Sequence, residues 1–310
     1  MMILLIIMSI FANLQLAYSC DQINPTAMEL SIDGKNLFIG DLDGFFYQCD
    51  LENNKISKKI KVHSEKITSI LASEDNQSVF IGSFDKSIAI VNLKDIATLR
   101  FLNGHNGAIT SLVHLPNKNL LISGSSDRTV KVWDVKNQLL LKTIDKINSV
   151  ITSITTDGNS LFIGTSEGIV YIVALYDDDS KIDHINLHES VVSSLSFIKE
   201  KSYLVSSSWD RSIAIWDIKK NSLIRRCMGH GYWVTSVAIF DNKLLSAGSL
   251  DYTLRLWNLD DCKEILTIKG LNSYVVKAIF SRDGKYIFSL TLNEGIKIWD
   301  TNTGKQISQK

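Results

Sequence analysis

The sequence predicts an all-β protein, a single seven-bladed β-propeller of four-stranded antiparallel blades. Three observations carry that expectation. A ruler position recurs along the chain at Cys49, Val91, Trp133, Val173, Trp216, Trp257 and Trp299, with gaps of 42, 42, 40, 43, 41 and 42 residues. Around it, apolar residues alternate with a period of two, as in Val130/Val132, Ile213/Ile215, Leu254/Leu256 and Ile296/Ile298, the pattern of a strand with one face against a neighbour. Turn residues then punctuate the runs at Asp33-Gly34, Pro116-Asn117, Asp157-Gly158 and Asp283-Gly284.

Taken in order, the units differ in how fully they are written. The first closes at Cys49-Asp50 and keeps the alternation only in part, at Phe46/Gln48. The second opens at His63 and carries Asp85 and Ile88/Ile90. The third, Gly104 to Asp134, is complete: apolar runs at Ile109–Leu112 and Leu120–Ile122, then Val130/Val132, then an outer run at Leu139–Ile144. The fourth has Val170/Ile172 and closes at Val173-Ala174. The fifth (from Leu187) and sixth (from Gly229) share with the third an opening His, an Asp twenty-one or twenty-two residues later and a Trp six beyond it, while the seventh has Leu271 for the opening His and Asn293 for the Asp. Four short strands cannot bury both faces alone. Stacking seven such sheets radially buries them and leaves only short edges.

Gly104-His105 and Gly229-His230 at the openings, with Trp133-Asp134, Trp216-Asp217 and Trp299-Asp300 at the closes, resemble the WD-repeat (Trp-Asp repeat) β-propeller family. The resemblance covers residues 24 to 310 and implies a non-catalytic platform for protein partners, a subunit of a larger assembly, intracellular by family habit. It also gives a structural reading to a set that could pass for a hydrolase triad. His105, Ser123, Asp127 and Trp133 recur as His188, Ser206, Asp210 and Trp216, and in part as His230, Asp251 and Trp257. A nucleophile needs one exposed serine beside a base and an oxyanion site. A set that recurs with an indole instead implies hydrogen bonds tying each loop to its blade.

Lysine plus arginine is 33 and aspartate plus glutamate is 33, so no electrostatic case arises for nucleic acid as the partner. Cys20, Cys49, Cys227 and Cys262 are scattered without C-x-x-C spacing, and neither a disulfide framework nor a metal site is expected. No cofactor is implied. Asp177-Asp178-Asp179 lacks the alternating spacing of a calcium loop. Residues 1–20 form a distinct segment: an apolar run from Met1 to Ala12, then Ala17-Tyr18-Ser19 ahead of Cys20, without a basic start. They read as a signal peptide, as an extra strand against the last blade, or as the product of an incorrectly chosen start codon, and a signal peptide would put the chain in the secretory pathway. The propeller is assigned to residues 21–310, with Lys305–Lys310 as the outer strand of blade seven.

The family geometry places the loop before each inner strand, and the turn carrying the Asp, on one face around the channel mouth. Those positions hold Trp209, Trp233, Tyr274, Leu250, Leu292, Phe84 and Leu42, together with Thr26, Thr68, Thr110, Thr152, Ser193 and Thr235. Large apolar groups cluster on blades five to seven, continue through one and two, and are missing from three and four. Exposed apolar groups mark interaction surfaces, and Trp and Tyr are common anchors. The expected function is therefore binding of a peptide or protein loop on this face. Two alternatives remain open: a substrate receptor of a ubiquitin ligase, although Lys136 and Lys219 stand where that class often has Arg, and a phosphoinositide-binding propeller, for which Arg225-Arg226 lacks the following Gly.

Overall fold

The computed structural model describes residues 24–53, 55–176 and 182–307. Seven antiparallel sheets follow one another in chain order, six of them four-stranded among these residues. Blade one runs Pro25–Leu30, Asn36–Asp41, Phe45–Asp50 and Lys55–Lys61; blade two begins at Ile67–Ala72, blade three at Ile109–Leu115 and blade four at Ile151–Thr156. Blades five, six and seven begin at Val192–Ile198, Val234–Phe240 and Val275–Phe280. The ruler residue sits at one register in every blade, facing the second residue of the second strand: Leu37↔Cys49, Val79↔Val91, Leu121↔Trp133, Leu161↔Val173, Leu204↔Trp216, Leu244↔Trp257 and Ile287↔Trp299. The degenerate first, fourth and seventh units thus share the register of the complete ones.

The core lies between blades rather than within them. The first four seams close by inserting a β-branched residue from one inner strand against a glycine of the preceding blade. A Cβ on Gly40, Gly82, Gly124 or Gly164 would come within 2.3–2.7 Å of Ile67, Ile109, Ile151 or Val192. Gly82→Ala is expected to cost about 1–3 kcal/mol through overpacking, read as a lower urea midpoint; an unchanged midpoint would refute this account of the seam.

Hydroxyls on the inner strands lace the same seams. Thr26 Oγ1 donates to Ile67 O (2.6 Å), Thr152 Oγ1 to Val192 O (2.6 Å) and Thr235 Oγ1 to Val275 O (2.9 Å), with Thr68 and Ser193 bonded alike to Ile109 O and Val234 O. This corrects the assignment of these residues to the partner face. They line the channel, with Thr110, and most of their hydroxyls are consumed in joining blades. At the last seam the position is Val276, which has nothing to donate. Lys277 Nζ reaches Met28 O (3.0 Å) and Glu29 (3.2 Å), and Arg282 donates to Ser31 O (3.0 Å) and Leu30 O (2.8 Å). Met28, Leu37, Phe288 and Leu290 form one apolar cluster across that junction.

The fourth strand expected at Lys305–Lys310 appears as a bridge from Gln306 to Trp299, with Ile307 N–H donating to Ile298 O (2.9 Å). Residues 308–310, the segment 1–20 and Asp177-Asp178-Asp179 lie outside the described residues. One expectation is overturned. Cys227, at the end of the outer strand Ser222–Met228, forms a disulfide with Cys262 in a turn of blade six. The two are 35 residues apart in sequence but 5.2 Å apart between Cα atoms, because the outer strand of one blade meets a turn of the next.

Candidate functional site

Local backbone geometry builds one face of the ring. In every blade a turn N–H donates to the carbonyl before the inner strand: Leu42→Asn24, Phe84→Lys66, Ser126→Ala108, Ser166→Val150, Trp209→Val191, Ser249→Trp233 and Leu292→Tyr274. Blade six makes this bond one residue early, through Ser249, so Leu250 is an extra residue pushed outward and exposed.

Beneath this face lie the polar sets. In blade three, Trp133 Nε1 donates to Ser123 Oγ (2.8 Å), Ser123 lies 2.8 Å from His105 Nε2, and His105 Nδ1 lies 2.8 Å from Asp127. The tautomer that satisfies all four carries its proton on Nδ1, so Ser123 donates to Nε2. Asp127 also accepts from Asn106 N–H (2.7 Å) and Thr129 Oγ1 (2.7 Å). Burial opposes its charge, yet the bonds from Thr129, Asn106 and His105 prevail and bring its pKa to about 2. Burial lowers the pKa of His105, against the pull of Asp127. Blade six repeats the set with Trp257, Ser246, His230 and Asp251: 2.9 Å from Trp257 Nε1 to Ser246 Oγ, 2.7 Å to His230 Nε2, and 2.7 Å from His230 Nδ1 to Asp251. Asp251 is likewise held at about 2, its bonds from His230 and Thr253 outweighing burial.

Blade five departs. His188 contacts Asp210 (2.8 Å) and Ser206 (2.7 Å), but the indole of Trp216 does not join. Its Nε1 is buried without a hydrogen-bond partner, while the ring packs beside Phe162, Leu195 and Leu204. Packing at the seam of blades four and five therefore overrides the sequence pattern there. Blade two has Ile81 in place of the serine, and His63 Nε2 meets the Ile81 carbonyl (3.1 Å) while Nδ1 faces Asp85 (3.0 Å). Sequence reasoning missed the substitute in blade seven. Trp299 Nε1 still donates to Ser289 Oγ (2.8 Å), and Glu294, one place beyond the expected Asp, takes the loop N–H of Asn272 (2.9 Å). An acid shifted by one residue at the same turn is the signal that could have found it.

Two of the aromatic groups assigned to the partner face stack on one another. The indoles of Trp209 and Trp233 stack with centroids 4.4 Å apart and planes 9° apart. Trp233 is 39% exposed and Trp209 is half-buried beneath it. Tyr274 is half-buried, and burial raises its phenol pKa. Leu292 is exposed on blade seven, and Leu42 and Phe84 are exposed on blades one and two at 50% and 55%. Tyr232 and Tyr252 of blade six, which the positional rule passes over, are also exposed. Tyr232 directly precedes Trp233, and Tyr252 follows the turn Asp with a positive φ of 55° that thrusts it out of the blade.

Arg225 and Arg226 are engaged within the chain. Arg225 Nε donates to Asp260 O (2.7 Å), and Arg226 reaches Ser212 Oγ (3.1 Å) and the Leu187 carbonyl. Among the described residues no group of three or more His, Cys, Asp or Glu side chains could hold a metal.

A seven-bladed ring of this register, with Trp–Ser–His–Asp sets under its loops, defines a WD-repeat propeller. The chain belongs to that family, matching the model of the IFT122 first β-propeller over residues 25–300. It is 31% identical over 148 residues to the COMPASS component SWD3 of Saccharomyces cerevisiae, covering 41% of this chain and 47% of that protein. It is 28% identical over 107 residues to the small ribosomal subunit protein RACK1 of Caenorhabditis elegans, covering 34% and 32%. The chain thus spans less than half the length of these curated relatives. The crystal structure of the computationally designed Ika8 protein superposes with a TM-score of 0.74 at 26% identity, over 93% of this chain and 86% of that one.

Proposed function

We propose that this propeller is a non-catalytic scaffold within a larger assembly, and that it binds a peptide or protein loop on the face bearing Trp209 and Trp233. The observation that carries this is the stacked indole pair. One ring supports the other, so the outer face of Trp233 is presented rigidly, with little entropy left to lose on binding. Leu250, Tyr232 and Tyr252 on blade six and Leu292 on blade seven extend apolar and amphipathic surface beside it, while the corresponding turn positions of blades three and four hold Ser126 and Ser166. The relatives' names, a COMPASS component and a small ribosomal subunit protein, agree with a role among protein partners. The His–Ser–Asp sets favour structure over hydrolysis. In blades three and six each serine hydroxyl is already held between an indole N–H and a histidine.

Peptides selected from a displayed library on the wild-type propeller test the reading. Trp233→Ala is expected to weaken them by about 2–3 kcal/mol, roughly 30- to 150-fold in affinity, with little change in melting temperature. Equal affinity for the variant would place the binding surface elsewhere.

A further inference from the structure

The outer strand of blade one, Lys55–Lys61, is unlike the other blade margins. It reads Lys-Ile-Ser-Lys-Lys-Ile-Lys, alternating exposed and half-buried, with Lys55, Lys59 and Lys61 on the exposed side. No carboxylate lies within ion-pair distance of Lys55, Lys58, Lys59 or Lys61 among the described residues. Lys55 faces Asp50 across the strands, and the other three ammonium groups rest on neutral supports. Lys59 Nζ sits 4.8 Å from the Phe45 ring centroid and 5.3 Å from that of Tyr47, and Lys61 Nζ sits 5.0 Å from Phe45. The sheet register sets this up, pairing Tyr47 with Lys59 and Phe45 with Lys61 across the strands. Lys58 and Lys61 also donate to the carbonyls of Leu93 and Asp43. By contrast, the arginines on the outer strand of blade five are tied down within the chain, and the outer strand of blade four, Asp183–Asn186, carries no Lys or Arg.

We propose that Lys55–Lys61 is a docking edge for an extended acidic peptide. The peptide adds a strand to blade one and sets its carboxylates against Lys55, Lys59 and Lys61. Among the described residues the sheet ends at this strand, and a margin strand turns one row of backbone N–H and C=O groups outward, ready to pair. Lysines on such an edge ordinarily repel another strand, and they do so for a second copy of this chain, which would bring lysine against lysine. An acidic strand turns the same repulsion into attraction, so the edge excludes like strands and admits one charge class. An acidic peptide suits the site better than nucleic acid or an anionic bilayer. The chain as a whole is neutral, with 33 basic and 33 acidic residues, and the unpaired cations follow one seven-residue strand rather than a broad basic face.

The test uses the full chain and a fluorescein-labelled nonapeptide of alternating Glu and Thr, followed by anisotropy. The expected result is saturable binding that weakens with added salt. Lys59→Glu with Lys61→Glu should weaken it at least about tenfold, whereas Trp233→Ala leaves it unchanged. A peptide N-methylated at alternate residues, which keeps its charges but cannot pair along one edge, should also lose at least about tenfold. Equal binding by the charge-reversed variant, or by the N-methylated peptide, overturns the proposal. So does tighter binding of single-stranded DNA or of phosphatidylserine-containing vesicles than of the peptide. Failure here would leave the reading of the Trp233 face untouched, because that surface is scored by different peptides and a different variant.

Discussion

Asp127→Ala is expected to lower the free energy of unfolding by about 3–5 kcal/mol, the cost of breaking a buried, hydrogen-bonded charge network from one side. The carboxylate gathers the His105 ring, the Asn106 N–H and the Thr129 N–H and hydroxyl. Its removal orphans several donors at once in a place where water enters poorly. Ser123→Ala also leaves two partners, His105 Nε2 and Trp133 Nε1, but both are neutral, so about 1–3 kcal/mol is expected. The pH dependence separates a charge effect from simple loss of packing. The folded-state pKa of Asp127 lies at about 2, below its ordinary value of 3.8. Its stabilisation is therefore complete above pH about 4 and is lost as the pH falls through about 2. The gap in urea midpoint between wild type and Asp127→Ala should hold steady at neutral pH and close in strong acid. A gap that persists at pH about 2 would assign the loss to packing.

Reduction of the Cys227–Cys262 bond, or Cys227→Ser, is expected to cost about 3–4 kcal/mol. The 35-residue separation sets that figure: an unfolded chain closed into a loop of this length has lost much of its freedom, and opening the loop restores it. The bond ties two blades whose outer parts otherwise meet through Arg225 and Asp260. Urea unfolding with and without reductant reads the difference, and peptide mapping under non-reducing conditions identifies the linkage. An unchanged midpoint on reduction would show that the bond does not constrain the ring.

What the sequence disclosed, and what it withheld, follows from distance along the chain. The blade count and register were legible because each repeat restates the same local pattern, so Cys49 and Val173 could be placed by phase although neither is a tryptophan. The polar set of blade three was legible for the same reason, and so were His230, Asp251 and Trp257 of blade six, but Ser246, which completes the blade-six set, was not. Blade five carries an equally complete motif, yet Trp216 leaves its set, because its orientation answers to Phe162 and Leu195 rather than to its own strand. The disulfide joins residues that no spacing rule connects and depends on how far one sheet's margin swings toward the next blade. Thr26 and its counterparts were assigned to the right loops but the wrong surface, since one step along a strand separates the rim from the bore. The stacking of Trp209 on Trp233 likewise joins two blades, and only the closed ring brings the two rings into register.

The seam between blades seven and one has a mechanical meaning. A propeller is a hoop, and this hoop is fastened by Lys277 and Arg282 gripping carbonyls at the end of the first strand rather than by the hydroxyl link found at five of its other seams. Tension applied at the first and last described residues, Asn24 and Ile307, loads that fastening before any other. Once it parts, blades peel singly, each releasing about 42 residues or roughly 140–150 Å of chain. Peeling that reaches the fifth and sixth blades meets the Cys227–Cys262 bond, which keeps the 35-residue stretch as hidden length. Opening at one seam and arrest at another make the ring a fastener with a defined pull direction and a stop.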